Sequence, residues 1–215
     1  ASNYIPLLRK ALEKADMAYI PVVSVNLSGL EKNPGFKLTL PFIRKAVFAM
    51  MYGDIIVQTA NQVRPYEVNK GQTDETIEKV EDHLLAEMSK GKGLSFKSMV
   101  ENFDHIVAQF KAIPVAGEPK VRVGVVGEIY IKYSPLGNNN LEQFLLSEGA
   151  EPVVPGLTDF IIFKIYNRVA DVDLYGGKWI KKAACQLFMG YIEALIKQLH
   201  VPDRLHRFHS VFTPL

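Results

Sequence analysis

Between Gly127 and Leu141 the chain reads GEIYIKYSPLGNNNL, and four side chains in it have the chemistry of a ligand site: Glu128, Tyr130, Asn138 and Asn139. A carboxylate at a strand end can orient a hydroxyl or an amide, or take a proton if burial raises its pKa. The amides and the phenol can donate and accept hydrogen bonds around it. The stretch follows VRVGVV, an apolar run that reads as a buried strand, and it leads into a helical pattern. The carboxyl ends of strands are where open α/β sheets bind ligands, and a helix N-terminus there favours an anionic or carbonyl oxygen. Ordinary connection chemistry is the competing reading. Asn140 has the type and place of a helix cap, with Gln143 three residues on completing a capping-box pattern.

Asn61 to Gly71, NQVRPYEVNKG, is the second cluster. Arg64 could clamp a phosphate or carboxylate with two parallel hydrogen bonds, and Tyr66 stands beside it. A salt bridge from Arg64 to Glu67, or to a helix end, is the structural alternative. Other chemistries lack their signatures. Gly124 and Gly127 let backbone approach a neighbour, but the third glycine of a dinucleotide fingerprint and the Gly-Lys-Ser/Thr of a phosphate loop are missing. His200, His206 and His209 cluster without the Cys or carboxylate partners of a zinc site. Cys185 falls on an apolar helical face, the setting of an inert thiol, and no serine sits on a nucleophile elbow.

The elements that must hold these residues follow from periodicity. A first helix begins near Pro6, with Ile5, Leu8, Ala11 and Leu12 at helical spacing. Tyr19 to Val25, YIPVVSV, reads as a buried strand and is followed by a Gly- and Pro-rich loop. Leu40 to Val63 is a long apolar helix with sparse polar positions, which implies burial on more than one side. Gly53-Asp54 in its middle marks a close contact or a break. Pro65 disfavours helix at Arg64. Two more helices are expected, from Thr73 or Asp74 to about Lys90 and from Ser95 to about Ala112. A βαβ unit follows: strand Val121–Val126, helix Leu141–Glu148 ending at Gly149, and strand Glu151–Val154. Helices over PGLTDFIIFKIYNRVA and from Lys178 to His200 close the chain. The expected class is α/β, with Rossmann-like parallel layers and a helical segment between two α/β halves, 1–115 and 116–215.

Whole-chain properties narrow the function classes. The chain has 215 residues, with 25 basic and 23 acidic side chains interspersed to a net charge of +2. That lacks the basic footprint of a nucleic-acid binder. The one cysteine excludes an internal disulfide framework and fits a cytoplasmic location, and no run has membrane-spanning length, so no membrane partner is expected. The chain opens on Ala1 and enters a helix at once, which reads as a segment of a longer polypeptide.

Four stretches, SNYIPLLRKAL, IPVVSVNLSGLEKNPGF, QVRPYEVNKGQTD and VGVVGEIYIKYSPLGNNNLEQFLLSEGAE, together resemble the 2-hydroxyacyl-CoA dehydratase family. They are most similar to the dehydratase-like C-terminal region of large CoA-substrate-specific enzyme activase-related proteins of anaerobic bacteria. The resemblance extends to about Tyr191. It implies Rossmann-like halves and, in the dehydratases proper, a [4Fe-4S] cluster that an ATP-hydrolysing activase reduces for radical dehydration of an acyl-CoA. The family's cysteine is expected ahead of the first residues, outside this chain. A single cysteine cannot hold such a cluster, so no cofactor is expected in this chain alone; [4Fe-4S] and ATP belong to the parent system. The implied partners are other domains of the parent, an activase or dehydratase subunit, and an acyl-CoA. Two functional readings stand: a domain contributing part of a substrate or cluster pocket and inactive alone, or a non-catalytic ligand-binding or partner-docking regulatory module.

Overall fold

The computed structural model describes residues 4–22 and 39–199. The chain divides into two compact units, 1–40 and 41–215. The predicted boundary at 115 lies inside the second. In the first unit, α1 spans Tyr4–Lys14 and buries Ile5. The strand expected at 19–25 is not found in its described part. Residues 19–22 are turn and irregular chain, Tyr19 is 81% exposed, and Pro21 has no N–H to give a ladder. Residues 23–25, and with them the loop after the expected strand, lie outside the described residues, as does the His200/His206/His209 cluster.

The second unit is predominantly helical. Its core lies among α2 (Leu40–Val63), α3 (Gln72–Ser89) and α4 (Phe96–Lys111). Helix α2 runs unbroken through Gly53 and is buried on several sides, as its sparse polar positions imply. Phe48, Met51, Tyr52 and Ile55 from α2 meet Val80 and Leu84 from α3, and Met99, Ile106 and Phe110 from α4. Ser95 caps α4 in a reciprocal capping box with Ser98. Between α2 and α3 a 3-10 turn covers Arg64–Tyr66, the residue stretch where Pro65 interrupts the helical ladder.

Tyr52, Asn102 and Glu87 satisfy one another's polar groups inside this core. The Tyr52 hydroxyl donates to the Gly93 carbonyl at 2.8 Å and accepts from Asn102 Nδ2 at 3.1 Å, while Asn102 also donates to Glu87 Oε2 at 3.0 Å. This chain of bonds ties α2 to the α3–α4 link, where Gly93 holds a left-handed φ of +70°.

The βαβ unit forms as expected but on a small scale. Strands β1 (Arg122–Gly124) and β2 (Glu151–Val153) pair in parallel, with Arg122 opposite Glu151 and Gly124 opposite Val153. The crossover between them is three short helices, α5 (Ile129–Tyr133), α6 (Pro135–Asn138) and α7 (Leu141–Ser147). Helix α7 ends at Gly149 in a Schellman arrangement: φ is +79°, Gly149 N–H donates to Leu146 and Ala150 N–H to Leu145. Helices α8 (Leu157–Tyr175) and α9 (Trp179–Leu199) then pack as a hairpin. The α/β character of the described residues is therefore one parallel pair in a mainly helical unit. No helix among them is long and apolar enough to cross a membrane.

The Tyr52 network gives a test of the core. Tyr52→Phe leaves the Gly93 carbonyl and the Asn102 amide each short of a partner in a buried place. Chemical denaturation should show a loss of about 1–3 kcal/mol, with the far-ultraviolet spectrum of the native protein unchanged.

Candidate functional site

The carboxyl ends of β1 and β2 lead into two helix starts that lie side by side. After β1, Val125 N–H continues the ladder to the Val153 carbonyl at 2.9 Å, and Gly127 turns the chain with φ +147° into α5. A Cβ added at Gly124 or Gly127 would meet nothing within 4 Å, so these glycines border open space. After β2, buried Val154 and then Pro155-Gly156 deliver the chain into α8.

The first turn of α8 has no local cap. Its partner comes from the middle of α2: Asp54 accepts from Leu157 N–H at 2.7 Å and from Thr158 N–H at 2.8 Å. A carboxylate at the N-terminal pole of a helix is favoured by both hydrogen bonding and the helix dipole. Gly156 makes the approach feasible, because a Cβ there would lie 2.8 Å from Asp54 Oδ2. Tyr133, the last residue of α5, places its hydroxyl 2.8 Å from both the Pro155 and the Gly156 carbonyls and so fastens the two strand-end loops together.

Lys132 and Asp159 complete the cluster. Lys132 is buried except for a sliver of its surface, and its ammonium lies 4.6 Å from the centre of the Tyr133 ring. Burial raises the Asp54 carboxyl; hydrogen bonds from Thr158 and Leu157 and the charge of Lys132 oppose this without cancelling it. Burial also raises Asp159, and the charge of Asp54 pushes it further in the same direction. Lys132 is lowered, again chiefly by burial, with Asp159 and Asp54 pulling it back. The Tyr133 phenol is held well above its ordinary value by burial and by both carboxylates. Two carboxyls shifted up and a lysine shifted down, at the carboxyl edge of a parallel pair, form the arrangement from which acid–base sites are built. Asp54 is the buried, structural member. Asp159 is partly accessible and is the carboxyl able to reach a ligand.

The residues expected from the sequence to contact a ligand have other partners in the fold. Glu128 is the N-cap of α5 and accepts from Tyr130 N–H at 2.8 Å. Tyr130 stays two-fifths exposed, with its ring over Gly137. Asn138 Oδ1, not Asn140, receives the Leu141 N–H at 3.1 Å. Asn140 makes no side-chain cap, and the expected pairing with Gln143 does not form. The reason is backbone conformation: Asn139 and Asn140 both sit at φ 56°, a left-handed state that asparagine tolerates better than most residues.

Arg64 binds Asp74 in the first turn of α3, through Nη2 at 2.6 Å and Nε at 3.2 Å, and donates through Nη1 to Asn61. It does not pair with Glu67. That carboxylate instead accepts from Gly71 and Thr73 N–H, each at 2.8 Å; burial raises its pKa, but the hydrogen bonds from Thr73 and Gly71 outweigh this and the net shift is downward. Tyr66 donates to Glu151 Oε2 at 2.9 Å and accepts from Lys120 N–H, and Glu151 is paired with Arg122. Burial is the main cause that raises the Tyr66 phenol. Tyr66 thus lies by the amino edge of the β pair, opposite the edge that carries Glu128 and Tyr130, while Arg64 is held by Asp74 and Asn61.

The sequence reading missed Asp54, Lys132, Tyr133 and Asp159. The signal for Asp54 was a lone carboxylate in an otherwise apolar helix. For Asp159 it was Pro-Gly-Leu-Thr-Asp after a strand, a helix start lacking a good cap of its own. No group of three or more His, Cys, Asp or Glu residues suited to a metal ion occurs among the described residues, and Cys185 is half-buried within α9. No family model, no curated protein and no solved structure matches the chain.

Two substitutions separate the roles of the acidic pair. Asp54→Ala strips the first turn of α8 of its acceptor and should cost about 1–3 kcal/mol in denaturation. Asp159 has a folded pKa above its unfolded one, so its contribution to stability is full below about pH 4 and is lost as pH rises through the folded value. Asp159→Asn should therefore stabilise the protein at neutral pH relative to wild type. That advantage should shrink toward zero as the pH is lowered to 4.

Proposed function

We propose that this chain is a domain of a 2-hydroxyacyl-CoA dehydratase/activase-type system, with a Rossmann-like parallel layer, that contributes part of a substrate pocket and is inactive alone. The observation that carries the reading is the Lys132–Asp159–Asp54 cluster at the carboxyl edge of β1 and β2. The family resemblance supplies the ligand class, an acyl-CoA. In this reading Lys132 meets an anionic or carbonyl oxygen of the ligand, and Asp159 holds or accepts a proton next to it. Exposed Val126, Ile131 and Leu136 on the same connection offer apolar surface to the acyl portion.

The iron–sulfur cluster implied by the resemblance does not fit the donors of this chain. Cluster ligation calls for a set of thiolates, and the sequence has one cysteine, set in the middle of α9. The cluster, ATP hydrolysis and the electron they deliver belong in this proposal to other parts of a parent system in the cytoplasm. Their contact partners are neighbouring domains or an activase or dehydratase subunit.

A non-catalytic ligand-binding or docking module is the second reading. It is favoured by one observation: polar groups of Glu128, Asn138 and Arg64 are engaged in caps and ion pairs within the fold.

Calorimetric titration of the protein with a 2-hydroxyacyl-CoA tests the site. Lys132→Met should weaken binding about tenfold or more, as expected for a hydrogen bond to a charged group. Unchanged affinity in Lys132→Met and in Asp159→Asn rules out this edge as the site. If Glu128→Gln and Asn139→Ala are the damaging changes instead, the site is the connection and not the cluster. Binding by a parent protein that shows no turnover after anaerobic iron–sulfur reconstitution selects the regulatory reading.

A further inference from the structure

Helices α8 and α9 are long and rich in apolar residues, yet they bury little. Among the described side chains, α8 buries only Thr158 and Val169, and α9 only Ile192. What α9 leaves in solvent is not random. Ile180, Ala184, Leu187 and Ala194 are exposed, and Tyr191, which packs edge-on against Phe96 of α4, keeps 39% of its surface in solvent; the five are spaced by four, three, four and three residues. That is the apolar repeat of a helix–helix seam. No charged residue interrupts it; Lys181 and Glu193 lie off its line. Helix α8 carries a second exposed stripe in Phe163, Tyr166 and Leu174, again at helical spacing.

We infer that these two stripes together form a self-association surface, and that its occupant is the α8–α9 hairpin of a second copy of the chain, packed antiparallel as a four-helix bundle. Two features favour a second copy over another partner. The α9 stripe is self-complementary in size. A two-fold axis at Leu187 brings Ile180 level with Ala194 of the other copy, seven residues on either side. It also brings Tyr191 level with Ala183, four residues on either side. Large residues therefore face small ones at these two levels, and Leu187 meets its own copy on the axis, as an isologous contact allows.

The second feature is area. Phe163, Tyr166, Tyr175 and Trp179 are each more than half exposed. At ~150–250 Å² per aromatic side chain, four of them offer on the order of 500 Å². Leu174, Ile180 and Leu187 bring the exposed apolar surface of the two helices near the ~800 Å² per partner of a standard specific interface. A typical monomer's largest apolar patch is about 300–600 Å². Two such hairpins joined along their seams have the layout of an antiparallel bundle.

Analytical ultracentrifugation of the wild-type chain should give a dimer at tens of micromolar, within the affinity range of interfaces this size. Leu187→Lys should give a monomer with the same helical circular dichroism. Oxidative cross-linking checks the axis independently. In the variant Cys185→Ser with Leu187→Cys, the new thiols of the two copies meet at the two-fold and should form a covalent dimer. The same change with Lys181→Cys in place of Leu187→Cys should not. A wild-type monomer across the concentration range overturns the proposal, as does a dimer that Leu187→Lys leaves intact. The sole tryptophan, Trp179, identifies the other occupant. A blue shift of its emission on adding phosphatidylglycerol vesicles to a monomeric wild-type chain would mean that lipid covers this face, which also overturns the proposal.

Discussion

One carboxylate holds the second unit's parts in relation to each other. Asp54 projects from the centre of the longest helix and closes the first turn of α8, 103 and 104 residues later in the chain. Without it the strand end after β2 would present two unpaired amides to a buried neighbourhood, at a cost comparable to a large share of a domain's net stability. The rest of the carboxyl edge is arranged around that contact. Gly156 is small so that the carboxylate can reach, Tyr133 anchors the carbonyls beside it, and Lys132 balances charge.

Helix α2 also governs the opposite edge. At its end, the turn containing Tyr66 grips Glu151 and the Lys120 amide, while Asn61 bonds to Glu142 of α7. The small βαβ unit is therefore docked on one helix at both ends of its strands. Three-residue strands have few ladder bonds of their own, and these side-chain clamps supply the register that a longer sheet would fix by pairing. Rigid support of this kind explains how a cluster with opposed charges can keep Lys132 near two carboxyls without collapsing into a simple ion pair.

What the sequence made legible follows from how local each signal is. Helices α2, α3, α4, α8 and α9, the βαβ order and the Gly149 terminus all rest on patterns within a few residues, and they stand. The asparagine run was read for its side chains, whereas two of its members are there for their backbone: Asn139 and Asn140 in the left-handed region, with Asn138 doing the capping. Tyr19 to Val25 has the β-branched content of a strand, yet a strand needs a neighbour, and in its described part, 19–22, Tyr19 is 81% exposed. The candidate site was half legible. Its location at the strand ends followed from the βαβ pattern, but Asp54 and Asp159 meet only through tertiary packing, and a pairing across a hundred residues leaves no periodicity to read.

The distant cap also sets an order of events. The first turn of α8 cannot satisfy its amides from neighbouring residues, so it gains full stability only once α2 is in place beside it. Closing so long a loop is entropically unfavourable until the α2–α3–α4 core has shortened it. On a ribosome that core is made first, and it can be folded before residue 157 emerges. The carboxylate is thus made before the segment it caps, and the first turn of α8 depends on an acceptor 103 residues earlier in the chain.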